Sequence, residues 1–445
     1  MKKRNIQSVW AHQIYTKRGH PGVEVIVRTE GGQIGRAECT AGLSVGSHEV
    51  QFTYDGGTAF RGKGVQNACD KVNEIIAPKL IGLDASDQKL IDQTMLDIMP
   101  NAKVKLGGNG IAATSAAVMK AGAAALDIPL YQHIGGIGAA VLPVPGVNVV
   151  TGELRYGGDQ SYRSGNTVYM GSQHGSGKPS YTVMAYDFDT YTDASHACWD
   201  FKEYFCEEMA KIYPGTPNIW GSFDVPAGVW KTDEELWELL VKCINRAGYE
   251  GKMGIQVDIA TDIYYNKKDH KYYGLFDSTP RTKEELMDFY KYMVNTYPFV
   301  ILEDPFNEDD FEAHAWAARE LGIQIVGDDL FTTDPVRVMQ GIKCGAANTV
   351  LLKVNQVGTI TEAMEMVQMA YQHGYAVMPS EARGEGIDIA DYSVGINAGT
   401  IRECSVTPPA NRLLEIEHEL GKRARFAGKA GIKGAKFSPK NTDAG

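Results

Sequence analysis

The chain has 445 residues, 43% of them hydrophobic and 22% charged, with 49 glycines and a formal net charge of −11. That length accommodates a small domain beside a large barrel, and the composition excludes a disordered or fibrous chain. The acidic balance argues against a nucleic-acid or anionic-membrane surface, so an anionic ligand has to be held by a local cluster of Arg or Lys, or by a metal.

The opening MKKRNIQSVW is basic, but no apolar stretch follows it, so no signal peptide is expected. Nothing reaches the roughly 18 consecutive apolar residues of a membrane span. Seven scattered cysteines with no C-x-x-C fit reduced thiols, and the expected location is the cytoplasm.

Segments 4–15, 22–29 and 33–40 alternate or are rich in β-formers and are separated by glycine-containing turns, which predicts three strands. Helical patterns follow at 64–82, 86–98 and 109–126, the last rich in alanine and suited to close packing. Residues 1–138 are therefore read as an α+β capping domain. From about 141 the pattern changes to strand–helix repeats. Apolar runs end at Asp258, Glu303, Asp328, Lys353 and Glu381, with amphipathic stretches at 282–297, 308–321, 334–344 and 359–373. Glu303, Asp328 and Lys353 are spaced 25 residues apart, the length of one strand, loop, helix and return loop. Successive strands should then end on the same side of a parallel sheet. The fold class is α/β, with a (β/α)8-type barrel over 139–430 and a tail at 431–445; the alternative, an open doubly wound sheet, lacks a G-x-G-x-x-G after a strand.

Asp258, Glu303 and Asp328 are expected at the C-terminal rims of three strands. Three hard oxygen ligands without His or Cys beside them call for Mg²⁺ rather than Zn²⁺. Taken singly, each carboxylate is equally suited to capping a helix or pairing with an arginine. Lys353, at the end of the next strand, is the candidate base, because burial and a nearby metal both disfavour an ammonium. The Mg²⁺ would stabilise the negative charge that develops when a proton leaves the carbon next to a carboxylate.

At these residues the chain resembles the enolase family. The matching phrases are KRGHPGVEV (17–25), GLSVGSHE (42–49), VLPVPGVNV (141–149), ILEDPFNEDD (301–310), GIQIVGDDL (322–330) and LLKVNQVGT (351–359). The resemblance implies an α+β N-terminal domain, a (β/α)8-type barrel, a homodimer or larger even assembly, and the family's known pairing of a lysine base with Mg²⁺. By the same resemblance Asp258, Glu303 and Asp328 match the metal ligands and Lys353 the base. Ser44 matches the serine that helps to hold a second Mg²⁺.

Other positions depart from the family. Its G-D-E-G-G segment aligns with Gly221–Val225, which puts Phe223 where a glutamate supplies the acid side, and a second glutamate aligns with Thr182. The histidine of S-H-A-G-G becomes Arg155. The family's S-H-R-S-G-E becomes Ser380–Glu385, so Glu381 replaces a histidine, Ala382 the phosphate-binding arginine and Arg383 a serine; the carboxylate-binding lysine becomes Arg402. A general acid is worth roughly 10²–10⁴-fold in rate, and a phenyl ring cannot donate a proton. The metal and base half is retained while the acid and phosphate half is rewritten. That implies an enolase-like, Mg²⁺-dependent carbon–oxygen lyase acting on a small anionic carboxylate, with Arg155, Arg383 and Arg402 facing substrate and Glu381 as the new acid or an orienter of arginine. Within 159–180, His174, Tyr162, Arg163 and Lys178 are further candidates for substrate contact. The alternatives are an ordinary enolase with a relocated acid and a non-catalytic ligand-binding protein; racemisation is disfavoured because no lysine lies near 180–187.

Overall fold

The computed structural model describes residues 3–16, 19–40, 42, 45–152, 155–156, 178–213, 221–381 and 384–437. Strands β1 (Ile6–Tyr15), β2 (Pro21–Thr29) and β3 (Ile34–Cys39) form an antiparallel meander. Helix Gly108–Leu126 packs across β2 and β3. Its alanines and Gly35 allow that approach, since a Cβ on Gly35 would lie 2.0 Å from the Ala117 carbonyl oxygen.

Eight further strands among the described residues build the barrel: β4 (Val144–Thr151), β5 (Ser180–Ala185), β6 (Met253–Asp258), β7 (Phe299–Glu303), β8 (Gln324–Gly327), β9 (Thr349–Leu352), β10 (Ala376–Pro379) and β11 (Thr400–Cys404). The spatial order is β10-β9-β8-β7-β6-β5-β4-β11, and a parallel bridge between Ser380 and Arg402 closes the ring. The two-residue strand Phe223–Asp224 adds beside β4.

One strand breaks the expected parallel arrangement. Strand β5 is antiparallel to both β4 and β6. A parallel return from β4 would need a crossover, usually a helix, but the intervening sequence is rich in Gly, Ser and Tyr and has no amphipathic helical period. The N-terminal end of β5, not its C-terminal end, therefore shares the mouth with the C-terminal ends of the other strands.

Helices Lys283–Thr296, Phe311–Glu320, Pro335–Cys344 and Ile360–Gln372 lie where the amphipathic stretches predict them. Each starts on a side-chain cap, from Thr282, Asp310, Asp334 and Thr359 respectively. Strands β6 and β7 are buried along their whole length, as expected of strands covered on both faces. No single helix among the described residues is long and apolar enough to cross a membrane.

Candidate active site

The site follows from strand periodicity. Val144, Met184, Ile301, Val326, Leu351 and Met378, from six barrel strands, form one apolar cluster. Because side chains alternate faces, the residue two positions on from each shares its face. That rule puts Glu303 above Ile301, Asp328 above Val326 and Lys353 above Leu351, with Asp258 beside Glu303 in register. An apolar floor thus carries a polar layer at the mouth.

In that layer three buried carboxylates meet three buried cations. Asp258 is paired with both Lys178 and Arg402. Arg402 also reaches Glu303, Nη1 to Oε1 at 3.2 Å. Lys353 Nζ lies 2.5 Å from Asp328 Oδ2, and Gln356 Nε2 donates to Asp328 Oδ1 at 3.0 Å. Gln356 Nε2 also donates to Glu49 Oε1 of the cap at 3.3 Å.

Asp304 holds this arrangement in place. Its Oδ1 accepts the backbone N–H of Asp328 at 3.0 Å and its Oδ2 that of Asp329 at 2.8 Å. Its φ of 44° is in the left-handed region, which Asp tolerates better than most side chains. Burial, and then the neighbouring carboxylates, push the Asp304 and Asp329 acids well above the usual range. Burial also raises Glu303, against the pull of Arg402. Burial, followed by the Arg402 charge, lowers the Lys178 ammonium to about 7.

The other sequence candidates fall in different places. Arg155 does not stand free to face a substrate: it is bidentate on buried Asp233, with Nε and Nη2 at 3.1 and 2.9 Å, while Nη1 donates to the Gly152 carbonyl. Tyr156 and Tyr181 donate to the same carboxylate, each at 2.6 Å, so the guanidinium is a partner in a structural network. Glu381 lines a cleft between cap and barrel with Glu24, Arg36, Glu38 and Lys120. Ser44 and Arg383 lie outside the described residues, as do Tyr162, Arg163 and His174. Phe223 is fully buried edge-on to Phe205, ring centroids 5.6 Å apart, and Thr182 is buried on β5.

Lys178 was only one of several loop candidates in the sequence, yet it belongs to the charged layer. The signal that singles it out is parity: Met184, Thr182, Ser180 and Lys178 are spaced by two along β5 and its lead-in, so all share the interior face. Because β5 runs opposite to its neighbours, the lysine that reaches the mouth precedes Ser180 and lies outside 180–187.

The residues fit a hard divalent cation. All donors are carboxylate or amide oxygens, and oxygens of Asp304, Asp328 and Asp329 lie within 4.8 Å of one another. Buried Gln256 Oε1 and Asp329 Oδ1 lack a hydrogen-bond partner, an expensive state that a cation would relieve. The tight acidic group is thus Asp304, Asp328 and Asp329, while Asp258 and Glu303 are bridged to each other by Arg402.

Two family models match this chain, "Enolase, N-terminal domain" over residues 6–134 and "Enolase, C-terminal TIM barrel domain" over 225–435. The chain belongs to the enolase family. It is 38% identical to an enolase of Bifidobacterium adolescentis over 448 aligned residues, covering 97% of this chain and 98% of that protein. Enolases of Methanocaldococcus jannaschii, 39% identical with 95% of this chain and 97% of that protein covered, and of Pyrococcus furiosus, 38% identical with the same two shares covered, are similarly related. This enolase-family chain is an enzyme of the hydro-lyase kind.

Proposed function

We propose that this enolase-family protein is a Mg²⁺-dependent lyase that removes the proton α to the carboxylate of a small anionic hydroxy acid and expels a β-substituent. The observation that carries the reading is Lys353 Nζ at 2.5 Å from Asp328, in one buried layer with Asp258 and Glu303. Mg²⁺, held by Asp258, Glu303 and Asp328, would supply positive charge to the substrate carboxylate as negative charge builds on it.

Lys353, once its ammonium has given one proton to solvent, leaves Asp328 as the neutral amine and takes the α-proton on Nζ. The Thr333 hydroxyl accepts the Lys353 backbone N–H at 3.1 Å, which sets the base on its strand end. Arg402, already bridging Asp258 and Glu303, offers N–H donors to a substrate carboxylate. Phe223 and Thr182 leave no carboxyl group at the two positions where the family has its acid-side glutamates, which favours a substrate or leaving group different from that of an ordinary enolase.

Solvent-deuterium exchange at the α-carbon tests this reading over a panel of phosphorylated and polycarboxylate hydroxy acids. Mg²⁺-dependent exchange on at least one member, abolished in Lys353→Ala, is expected; no exchange on any member overturns it. Rapid formation of phosphoenolpyruvate from 2-phosphoglycerate in a coupled assay would instead favour an ordinary enolase with a relocated acid.

A further inference from the structure

Resting on the lyase reading above, we propose that Lys178 is a second substrate-facing cation, which leaves Asp258 to hold a second anionic group of the substrate once a divalent cation takes the carboxylates. The ring order places it. Lys353 follows β9 and Lys178 precedes β5, four strands apart in a closed ring of eight, so the two ammonium groups face each other across the mouth. Asp258, Glu303 and Asp328 sit on the three strands between them, β6, β7 and β8. The Lys178 backbone is fixed by the Tyr264 hydroxyl, which donates to its carbonyl at 2.8 Å.

Charge pairing supplies the reason for movement. Each of the three carboxylates already meets a side-chain cation: Asp258 meets Lys178 and Arg402, Glu303 meets Arg402, and Asp328 meets Lys353. A divalent cation entering this group has to displace at least one of them. A displaced ammonium that stays buried without a partner is costly, so it either gives up its proton or is met by an anion of the ligand. Arg402 bridges two of the acids, and Lys353 is the base. Lys178 is a point charge on a flexible four-carbon stem, the side chain best able to turn from Asp258 to a ligand.

The substrate class follows. The mouth next to β5 has buried Thr182 and Lys178 in place of a carboxylic acid. That wall suits an anionic group and disfavours a neutral one. The substrate should therefore carry two anionic groups, a carboxylate on the metal side and a carboxylate or phosphoryl group at Lys178.

The test uses the full chain as wild type, Lys178→Gln and Lys178→Arg, with thermal melting to confirm folding of each. Calorimetry without other ligand measures Mg²⁺ binding; Lys178→Gln, having lost the internal competitor for Asp258, should bind Mg²⁺ about tenfold more tightly. Calorimetry of the Mg²⁺-saturated protein then compares lactate, malate and 2-phosphoglycerate. Lys178→Gln should lose about 30-fold or more in affinity for a dianion while lactate binding stays unchanged, and Lys178→Arg should keep most of it. Malate and 2-phosphoglycerate separate a carboxylate from a phosphoryl source. Weaker Mg²⁺ binding in Lys178→Gln, or dianion affinity that falls no more than lactate affinity, overturns the proposal. Failure of the lyase reading shows separately, as absence of α-proton exchange in a wild type that still binds dianions selectively.

Discussion

Asp304 presents both carboxylate oxygens to backbone N–H groups of the next strand end, and so aims Asp328 at the mouth. Replacing it with alanine leaves two buried N–H groups without partners. Asp304→Ala should lower unfolding free energy in urea by about 2–4 kcal/mol and weaken Mg²⁺ binding in parallel. His314 provides a pH signature remote from the site. Its Nδ1 donates to the Asp310 carbonyl at 2.9 Å, and burial lowers its pKa from the usual 6.5 to about 4. An unfolded chain takes up a proton below pH 6.5 while the folded one refuses it until about pH 4. Stability is thus lost as pH falls through that window, by about 3 kcal/mol when complete. His314→Phe, which keeps the contact with Phe306, should flatten the denaturation midpoint between pH 6.5 and 4.

Among the elements, the helices were the most legible. The capping box at Thr282, whose hydroxyl accepts the Glu285 N–H while Glu285 accepts that of Thr282, is a local pattern that sequence displays directly. Thr282→Ala should cost about 1 kcal/mol in chemical denaturation and raise amide exchange in the first turn of Lys283–Thr296. Strand direction was less legible. Apolar strands read the same forwards and backwards, so the period of two in Ser180–Ala185 gives its buried face but not its sense. Only the absence of a helical crossover in the preceding segment points to the reversal, and with it to the place of Lys178.

Over the whole molecule, the cap is docked where the barrel helices and strands present their ends. Ser47 and His48 contact Glu308 and Asp309, the latter pair at 3.0 Å, and Lys103 Nζ lies 2.7 Å from Glu362. Asp92 of the cap is buried and accepts the Thr361 N–H at 2.9 Å and the Ser115 hydroxyl at 2.5 Å, and so caps barrel helix Ile360–Gln372 from outside its own domain. Asp92→Ala should speed amide exchange at Thr361 and lower the urea midpoint, a loss of about 2–3 kcal/mol. A cap that stayed equally protected would show that other contacts alone hold it on the barrel.

Sequence alone determined the three strands and the helical stretches of the cap, five of the eight barrel strands with the 25-residue recurrence of their ends, and the chemistry placed on those ends, because periodicity and capping are interactions between near neighbours. Tertiary structure decided which charges meet. Arg155 looks like a substrate ligand by position, but Asp233, 78 residues away, claims its guanidinium; Lys178 looks like a loop lysine, but a reversed strand carries it to Asp258. Such pairings depend on which distant segments close against one another, and local patterns along a chain do not encode that choice.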